Sequence, residues 1–391
     1  MLENKGRTKR SLVTVYGEIV FFRTFLTPSD SSSMNALLSM QKEKGVFPLD
    51  DYLGISNLPF KMTVKMMVSI AKEAVRATSY ERAALMVLEH YRVQLSAATI
   101  RKVTDYVGSI VFLDDTRRAQ QALSSSAEKI DRRKKHRTKD DVLYLEMDGA
   151  MFNTRLQKEG TSWMECKIGI AFHAKDLRSW ETKKGETRRR ITKKRLVGYI
   201  GNYNVFKGHM LALASRYNYR YCSKIVVISD GADWIHTLTQ ELFPDAVHIL
   251  DLSHVKEHVG DFGKWINEDE EEAKKWIGKI NGMIEQSEID GVLELLKPYK
   301  DCKCPKNILN LYTYIVNHKS CMDYKLYKEK GYFVGSGASE SANKYAMQNR
   351  MKLQGMRWNK ESGQNMLALK TRLESDCWHE IEPLVAEYCN K

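Results

Sequence analysis

Two aspartates stand where apolar runs give way to glycine. LYLEMDGA turns at Asp148-Gly149 and IVVISDGADW at Asp230-Gly231. Each run is short, rich in aliphatic residues and closed by a turn signal, the pattern of a buried strand. A carboxylate at the carboxyl end of a strand sits where open α/β sheets place their ligands. Held by the ladder behind it, it is rigid enough for Mg²⁺, which demands near-octahedral oxygen geometry. A third carboxylate, Glu340, lies in GSGASESAN at a helix start, where small neighbours allow close approach. Three such groups can hold two divalent ions about 3.5–4 Å apart, which clamp the attacking and leaving oxygens of a phosphodiester. On this reading Asp148, Asp230 and Glu340 are metal ligands and catalytic residues. Mg²⁺ is the expected cofactor, and Mn²⁺ fits the same oxygens. His254, in Leu250-Asp251-Leu252-Ser253-His254, would orient a carboxylate or touch a phosphate. Plainer roles stay open for each. Asp-Gly is a common turn pair, and a Glu early in a helix favours the helix dipole. Asp-x-x-His at a strand exit also describes a capped helix start with a buried histidine.

The scaffold these residues need is legible around them. Strands are predicted over 142–147, 163–173, 195–203, 224–229 and 246–250, with a helix over 209–219. Strands followed by helices imply an α/β sheet with a three-stranded start. From His258 to about Lys328 the pattern is helical and rich in Glu, Lys and Trp, which reads as an insertion. A Gly-rich turn, a long helix and an amphipathic tail from Glu361 to Tyr388 follow.

Upstream, Ser11 to Leu26 alternates apolar and polar residues, a strand pair turning near Gly17. From Thr63 to Phe112 the spacing is helical, with Ser79 and Ser96 as N-caps. Two helices joined by a brief turn resemble a helix-turn-helix. Its second helix opens Ala98-Thr99-Ile100-Arg101-Lys102, which puts Thr99, Arg101 and Lys102 in base-reading positions. A plain helical bundle is the alternative. Ser124 to Asp141 is polar and charged, a linker. The expected domains are 1–58 (strand pair and linker), 59–122 (helical, DNA-binding), 123–141 (charged linker), 142–257 with 329–391 (catalytic core) and 258–328 (helical insertion).

Charge supports a polyanionic partner. Lys and Arg total 62 against 49 Asp and Glu, a net +13, and nucleic acid is the commonest such partner. Lys183 to Arg195 carries eight basic residues and one acidic residue. Within it Arg188, Arg189, Arg190, Lys193 and Lys194 suit phosphate contact, as a flexible hairpin or as a solvated loop. Arg350, Lys352, Arg357 and Trp358 follow Glu340 and are expected to grip DNA, the indole stacking on an unpaired base or serving as core. No apolar run approaches the roughly 20 residues of a membrane span, and the N-terminus has no secretory pattern. Seven scattered cysteines argue against a closed disulfide set and for a cytoplasmic protein. Cys302-x-Cys304 with His318 and Cys321 is too tightly spaced for an ordinary zinc finger.

Taken together, DGA, SDGADW, LDLSH, GSGASESANK and NRMKLQGMRW resemble bacterial insertion-sequence transposases of the Lre group, relatives of the Mutator-like superfamily. The likeness extends to the N-terminal strand pair and to Pro48-Leu49-Asp50-Asp51-Tyr52-Leu53-Gly54. It implies a ribonuclease-H-like fold, a DDE triad at Asp148, Asp230 and Glu340, and an all-helical insertion before the glutamate. The 110 residues from Asp230 to Glu340 leave room for that insertion. It further implies cleavage of element-end DNA, transfer of 3′ ends into target DNA, and a homodimer or larger assembly on double-stranded DNA near the bacterial nucleoid. Members carry more sequence before the first hairpin, which implies a missing N-terminal piece here. A two-metal nuclease without strand transfer and a catalytically inactive DNA-binding descendant fit the same residues.

Overall fold

A computed structural model of the chain describes residues 2–28, 45–126, 141–155, 162–181, 187–335 and 337–390. It divides into two units, residues 1–115 with 359–391, and residues 116–358.

In the first unit, β1 (Leu2–Thr14) and β2 (Gly17–Pro28) pair antiparallel down to Thr14↔Gly17. Gly17 closes the turn at φ 110°, a conformation that favours glycine. The hairpin starts well before Ser11, a stretch the sequence does not reveal because Leu2–Lys9 is exposed on both faces and carries no apolar period to read. Helix α1 (Pro48–Tyr52) buries Asp50, which forms ion pairs with Arg10 of β1 and Arg23 of β2. The Arg23 guanidinium also lies 3.6 Å over the Phe47 ring. Helix α2 (Val64–Arg76) turns Met66, Met67, Ile70, Ala71 and Ala74 inward, and the Thr63 hydroxyl accepts the Met66 N–H at its start. Helix α3 (Tyr80–Tyr91) is capped by Ser79 and ends at Arg92, whose left-handed backbone breaks the helical path.

Helix α4 (Ala97–Ser126) begins where Ser96 accepts the Thr99 N–H. It runs well past Phe112, the end expected from apolar spacing. Its second half, LDDTRRAQQALSSS, is polar but rich in Leu, Arg, Ala and Gln, which are good helix formers. Most of the charged linker lies outside the described residues.

The second unit is built on a mixed five-stranded sheet in the order β7-β4-β3-β8-β9. Its strands are β3 (Val142–Asn153), β4 (Trp163–His173), β7 (Arg195–Ile200), β8 (Lys224–Ser229) and β9 (Val247–Leu250). β4 runs antiparallel to both β3 and β7, while β8 and β9 continue parallel to β3. Between β4 and β7 the chain makes a separate antiparallel ladder, β5 (Leu177–Glu181) with β6 (Thr187–Ile191). Helices α5 (Tyr203–Arg216) and α6 (Asp233–Leu242) cover one sheet face. There Leu143, Leu145 and Met147 of β3 pack with Phe206, Met210, Ile235 and Leu238. Alternation sends Tyr144, Glu146 and Asp148 to the other face.

After β9 come α7 (Leu252–Ile266), α8 (Glu270–Glu285), α9 (Ile289–Leu296), α10 (Leu311–His318) and α11 (Tyr324–Glu329). The insertion therefore starts at Leu252, before the His258 expected, because Asp251 caps α7 directly at the end of β9. Helix α12 (Gly337–Ala342) continues through a π-helical stretch, Asn343–Gln348, into α13 (Asn349–Met351).

The last helices, α14 (Lys360–Glu374) and α15 (Ile381–Cys389), group with the N-terminal elements and not with the sheet, where the sequence had placed them. Close backbone contact explains this. A Cβ on Gly108 of α4 would lie 2.7 Å from the Asn365 carbonyl oxygen, so only glycine fits there. Arg372, buried, pairs with Asp114 and Asp115 of α4.

No helix among the described residues is long and apolar enough to cross a membrane. All seven cysteines are free thiols.

Removing Asp50 leaves Arg10 and Arg23 facing each other beside Phe47. Breaking a buried ion pair from one side costs about 3–5 kcal/mol, and the partial exposure of both arginines puts Asp50→Ala near the lower end. Denaturant unfolding is expected to show this loss, with Asp50→Asn intermediate. An unshifted midpoint for Asp50→Ala would mean the pairs contribute nothing.

Candidate metal centre at the ends of three parallel strands

The parallel ladder between β3 and β8 makes its last pairing at Glu146↔Ile228. Two residues further on each chain stand Asp148 and Asp230, so the two carboxylates leave adjacent strands in register. The β8–β9 ladder ends at Ser229↔Leu250, and one further step sets Asp230 beside Asp251. Three aspartates therefore occupy neighbouring positions across the carboxyl ends of three parallel strands. β3 does not stop at Asp148 as the Asp-Gly step suggested. It continues to Asn153 against β4 after β8 has ended, so the Asp148 backbone is held on one side only.

Each carboxylate is fixed differently. Asp230 Oδ1 accepts the Ala232 N–H at 3.0 Å, and Asp251 Oδ1 accepts the Ser253 N–H at 2.7 Å as the cap of α7. Asp148 Oδ2 accepts from the side-chain amide of Asn343. Burial pushes the Asp148 carboxyl up to about 6, and the neighbouring Asp230 charge adds to that rise. The Gly149 backbone amide, Asn343 and His254 pull it partly back. A carboxylate whose proton affinity is raised by burial and by a neighbouring carboxylate marks a candidate site for a cation.

Asn343 matters for a second reason. It is buried, and its carbonyl oxygen has no hydrogen-bond partner among the described residues. A buried oxygen left unpaired costs free energy unless something occupies it. The carboxylate and amide oxygens at this point, with the His254 imidazole nearby, suit Mg²⁺ or Mn²⁺. The residues present thus fit the cation expected from the sequence.

The insertion pins the strand ends. The Tyr314 hydroxyl donates to the Asp230 carbonyl at 3.2 Å, and the Tyr324 hydroxyl to the Leu250 carbonyl at 3.0 Å. Gly231 adopts φ 96°, and a Cβ there would lie 2.9 Å from Leu250, so the turn after Asp230 requires glycine. His258, beside Tyr314 at 4.9 Å between ring centroids, is driven toward the neutral form by burial.

The structure brings Asp148, Asp230 and His254 together. His254 is close enough for its charge to act on Asp148, and its Nδ1 lies 3.6 Å from Glu257 on the same helix. The Glu340 backbone lies in α12, one turn before Asn343, while its side chain lies outside the described part of the structure. Sequence reasoning missed Asn343 as a contact of Asp148. Its spacing of three from Glu340 puts both on one helix face and was the available signal. It also gave no role to Glu146, buried two residues before Asp148 on the same strand face.

The residues expected to contact DNA divide. Thr99 is half-buried, its N–H and hydroxyl both engaged with Ser96, while Arg101 and Lys102 are exposed on the first turns of α4. In the β5–β6 hairpin, Arg188 pairs with Trp180, Arg189 with Ser179 and Arg190 with Arg178. The Arg190 side chain is exposed; those of Arg188 and Arg189 lie outside the described part. Lys193 is exposed and Lys194 half-buried. Lys352 and Arg357 are exposed.

Arg350 and Trp358 are not surface groups, a correction to the sequence reading. Arg350 is 2% exposed, and its guanidinium carbon lies 5.2 Å from the Trp358 ring centroid. The indole N–H donates to the Met351 carbonyl at 3.1 Å, and the Trp358 backbone bridges to Asn153 and Arg155 at the end of β3. The pair ties the segment after α13 to the sheet, and the indole is not open for base stacking.

Over residues 2–382 the sequence matches the profile of an uncharacterised protein family. The chain belongs to UPF0236. A search of curated proteins finds no match.

Asp148 takes up its proton near pH 6 in the folded chain, and an unfolded Asp does so near 3.9. Between those values the folded state binds more protons, so its stability falls as pH rises through the window and levels off above it. In chelator, Asp148→Asn is expected to be more stable than wild type at pH 8, by on the order of 1–2 kcal/mol after allowance for partial exposure. The two proteins should converge at pH 4. Matching melting curves at pH 8 would mean the carboxylates do not strain one another.

Proposed function

We propose that this protein is a DDE-type DNA transposase with a ribonuclease-H-like catalytic core. The observation that carries the reading is the in-register placement of Asp148 and Asp230 on adjacent parallel strands, with Asn343 reaching Asp148 from the helical run that contains Glu340. The strand order β7-β4-β3-β8-β9, with only β4 reversed, is the arrangement expected of ribonuclease-H-like cores. The run of helices between β9 and α12 fits the all-helical insertion of the resembled transposases.

Asp148 and Asp230 would hold the divalent ions, with Glu340 as the third carboxylate and the Asn343 carbonyl oxygen as a further donor. Bound there, Mg²⁺ or Mn²⁺ would activate a water or 3′-hydroxyl and stabilise the departing oxygen of a phosphodiester. The protein's own part is positional. The ladders fix the separation of Asp148 and Asp230, Tyr314 and Gly231 hold the Asp230 turn, and Asn343 keeps one Asp148 oxygen oriented. His254 supplies positive character beside Asp148 when protonated, or a hydrogen bond when neutral. Exposed Arg101, Lys102, Arg190, Lys193, Lys352 and Arg357 suit contact with the phosphates of element ends and target DNA, with salt-dependent affinity. Paired-end cleavage calls for a dimer or larger assembly.

Purified protein, Mg²⁺ and a duplex carrying the DNA that flanks the reading frame test the proposal. Wild type is expected to cut at the element end and join the 3′ end to a second duplex. Asp148→Asn and Asp230→Asn should lose both steps by at least 10³-fold, on the order of the loss when a charge-stabilising group is removed, while still binding the end. Nicking without joined product from a pre-cut end would favour a nuclease, and undiminished cleavage by Asp148→Asn would exclude this centre.

Protons compete with the ions for Asp148. Affinity for Mn²⁺, followed by electron paramagnetic resonance, is therefore expected to fall below about pH 6 and to plateau above it. A flat profile between pH 5 and 8 would remove Asp148 from the ligand set.

A further inference from the structure

A second cluster of metal-binding side chains lies on the other side of the sheet from the carboxylates. Ser229 and Asp230 are consecutive and so leave β8 in opposite directions. Asp230 goes toward Asp148. The Ser229 hydroxyl lies 2.8 Å from Nε2 of His248 on β9. The His248 ring stacks on that of His236 in α6, with centroids 5.5 Å apart and planes 24° apart. Cys321, buried, arrives from the short 3₁₀ turn after α10. One ligand atom from each of His236, His248 and Cys321 lies within 4.8 Å of the other two.

We infer that His236, His248 and Cys321 form a zinc site that ties the helical insertion to β9 and α6. The inference does not depend on the chemistry proposed for the carboxylates. Two imidazoles and a thiolate are a borderline-soft donor set, suited to zinc and poorly suited to Mg²⁺. Zinc bonds of about 2.0–2.3 Å place tetrahedral ligand atoms roughly 3.3–3.8 Å apart, so about an ångström of side-chain adjustment closes the site. The Ser229 hydroxyl can accept the His248 Nε2–H and leave Nδ1 for a metal, whereas the Gln240 amide N–H donates to His236 Nε2 at 2.8 Å, so that amide must turn over and present its oxygen before His236 can offer a nitrogen to zinc.

The protonation states agree with this. Burial drives His248 down to about 4, helped by the nearby His236 and His318, so its lone pair is open at neutral pH. His318, three residues before Cys321, is likewise pushed toward neutrality by burial. It is not part of the three-residue group, so the fourth position falls to solvent. Burial raises the Cys321 thiol, so zinc must displace its proton. The S–H bond breaks, a Zn–S bond forms, and one proton passes to solvent for each ion bound. Cys302 and Cys304, grouped in the sequence with His318 and Cys321 and judged too tightly spaced for a zinc finger, have their sulfurs 3.4 Å apart, and neither joins this cluster.

Chelator-stripped, reduced full-length protein titrated with Co²⁺ tests the site. One equivalent is expected to produce a thiolate-to-cobalt charge-transfer band that Zn²⁺ then abolishes. Cys321→Ser should lose the band, and His236→Asn should weaken Co²⁺ binding at least tenfold, with folding of both checked by circular dichroism. Asp230→Asn and the double variant Cys302→Ser/Cys304→Ser should keep the band. No band in wild type, a band that survives in Cys321→Ser, or one that vanishes with Cys302 and Cys304 would overturn the assignment. Any of these leaves the DNA-cleavage test of the carboxylates standing.

Discussion

Parallel pairing of β3, β8 and β9 is the constraint on which the candidate centre rests. Hydrogen bonds between strands fix which residues are neighbours, and they do so for whole strands at once. Because Glu146 pairs with Ile228 and Ser229 with Leu250, the next outward-facing positions fall to Asp148, Asp230 and Asp251. A slip of one residue in either ladder would turn an aspartate toward the apolar layer under α5 and α6. The Leu143, Leu145 and Met147 face, buried against Phe206 and Met210, opposes such a slip. Apolar packing on one side of the sheet thus holds the charges in place on the other.

That arrangement concentrates negative charge where water is scarce. Asp251 is withdrawn from the conflict, since it is fully buried and its side chain caps α7. Asp148 and Asp230 remain, and the proton affinity of Asp148 is lifted first by burial and then by the Asp230 charge. Asn343 donates to one Asp148 oxygen but brings an unpaired carbonyl oxygen of its own, so it redistributes the need for a positive partner without removing it. The surrounding structure tolerates this strain because the sheet beneath is well packed, and marginal local energetics are common where a protein binds something.

How much of this the sequence discloses depends on which physical signal dominates. Strand β8 is read to the residue because it is a continuous apolar run with a clear stop, and β4 because its apolar residues close on the run Ile168–Phe172. β3 is longer than its apolar run because pairing with β4 continues through Asp148 and Gly149, a tertiary effect invisible in local composition. Helix α4 outruns its apolar period because helix-forming residues and the pairs of Asp114 and Asp115 with Arg372 carry its polar half. Arg350 and Trp358 illustrate the opposite failure. Their types suggest a nucleic-acid grip, yet each covers the other in the interior, where a guanidinium on an indole face is stable packing. The zinc-binding cluster combines a helix, an edge strand and a turn over 80 residues apart in sequence at the extremes, and no spacing rule anticipates it.

The tyrosines of the insertion have a consequence for how such a protein can diversify. Hydroxyls of Tyr314, Tyr324 and Tyr327 donate to the carbonyls of Asp230, Leu250 and His248, main-chain acceptors just beyond β8 and along the edge strand β9. An appendage joined this way is not an interchangeable module. Excising it, or grafting in an unrelated helical segment, would strip three acceptors at once and loosen the turn that presents Asp230. Change in this region is therefore expected to accumulate on the solvent side of α8 and α9, and to spare the rings that reach back to the strands.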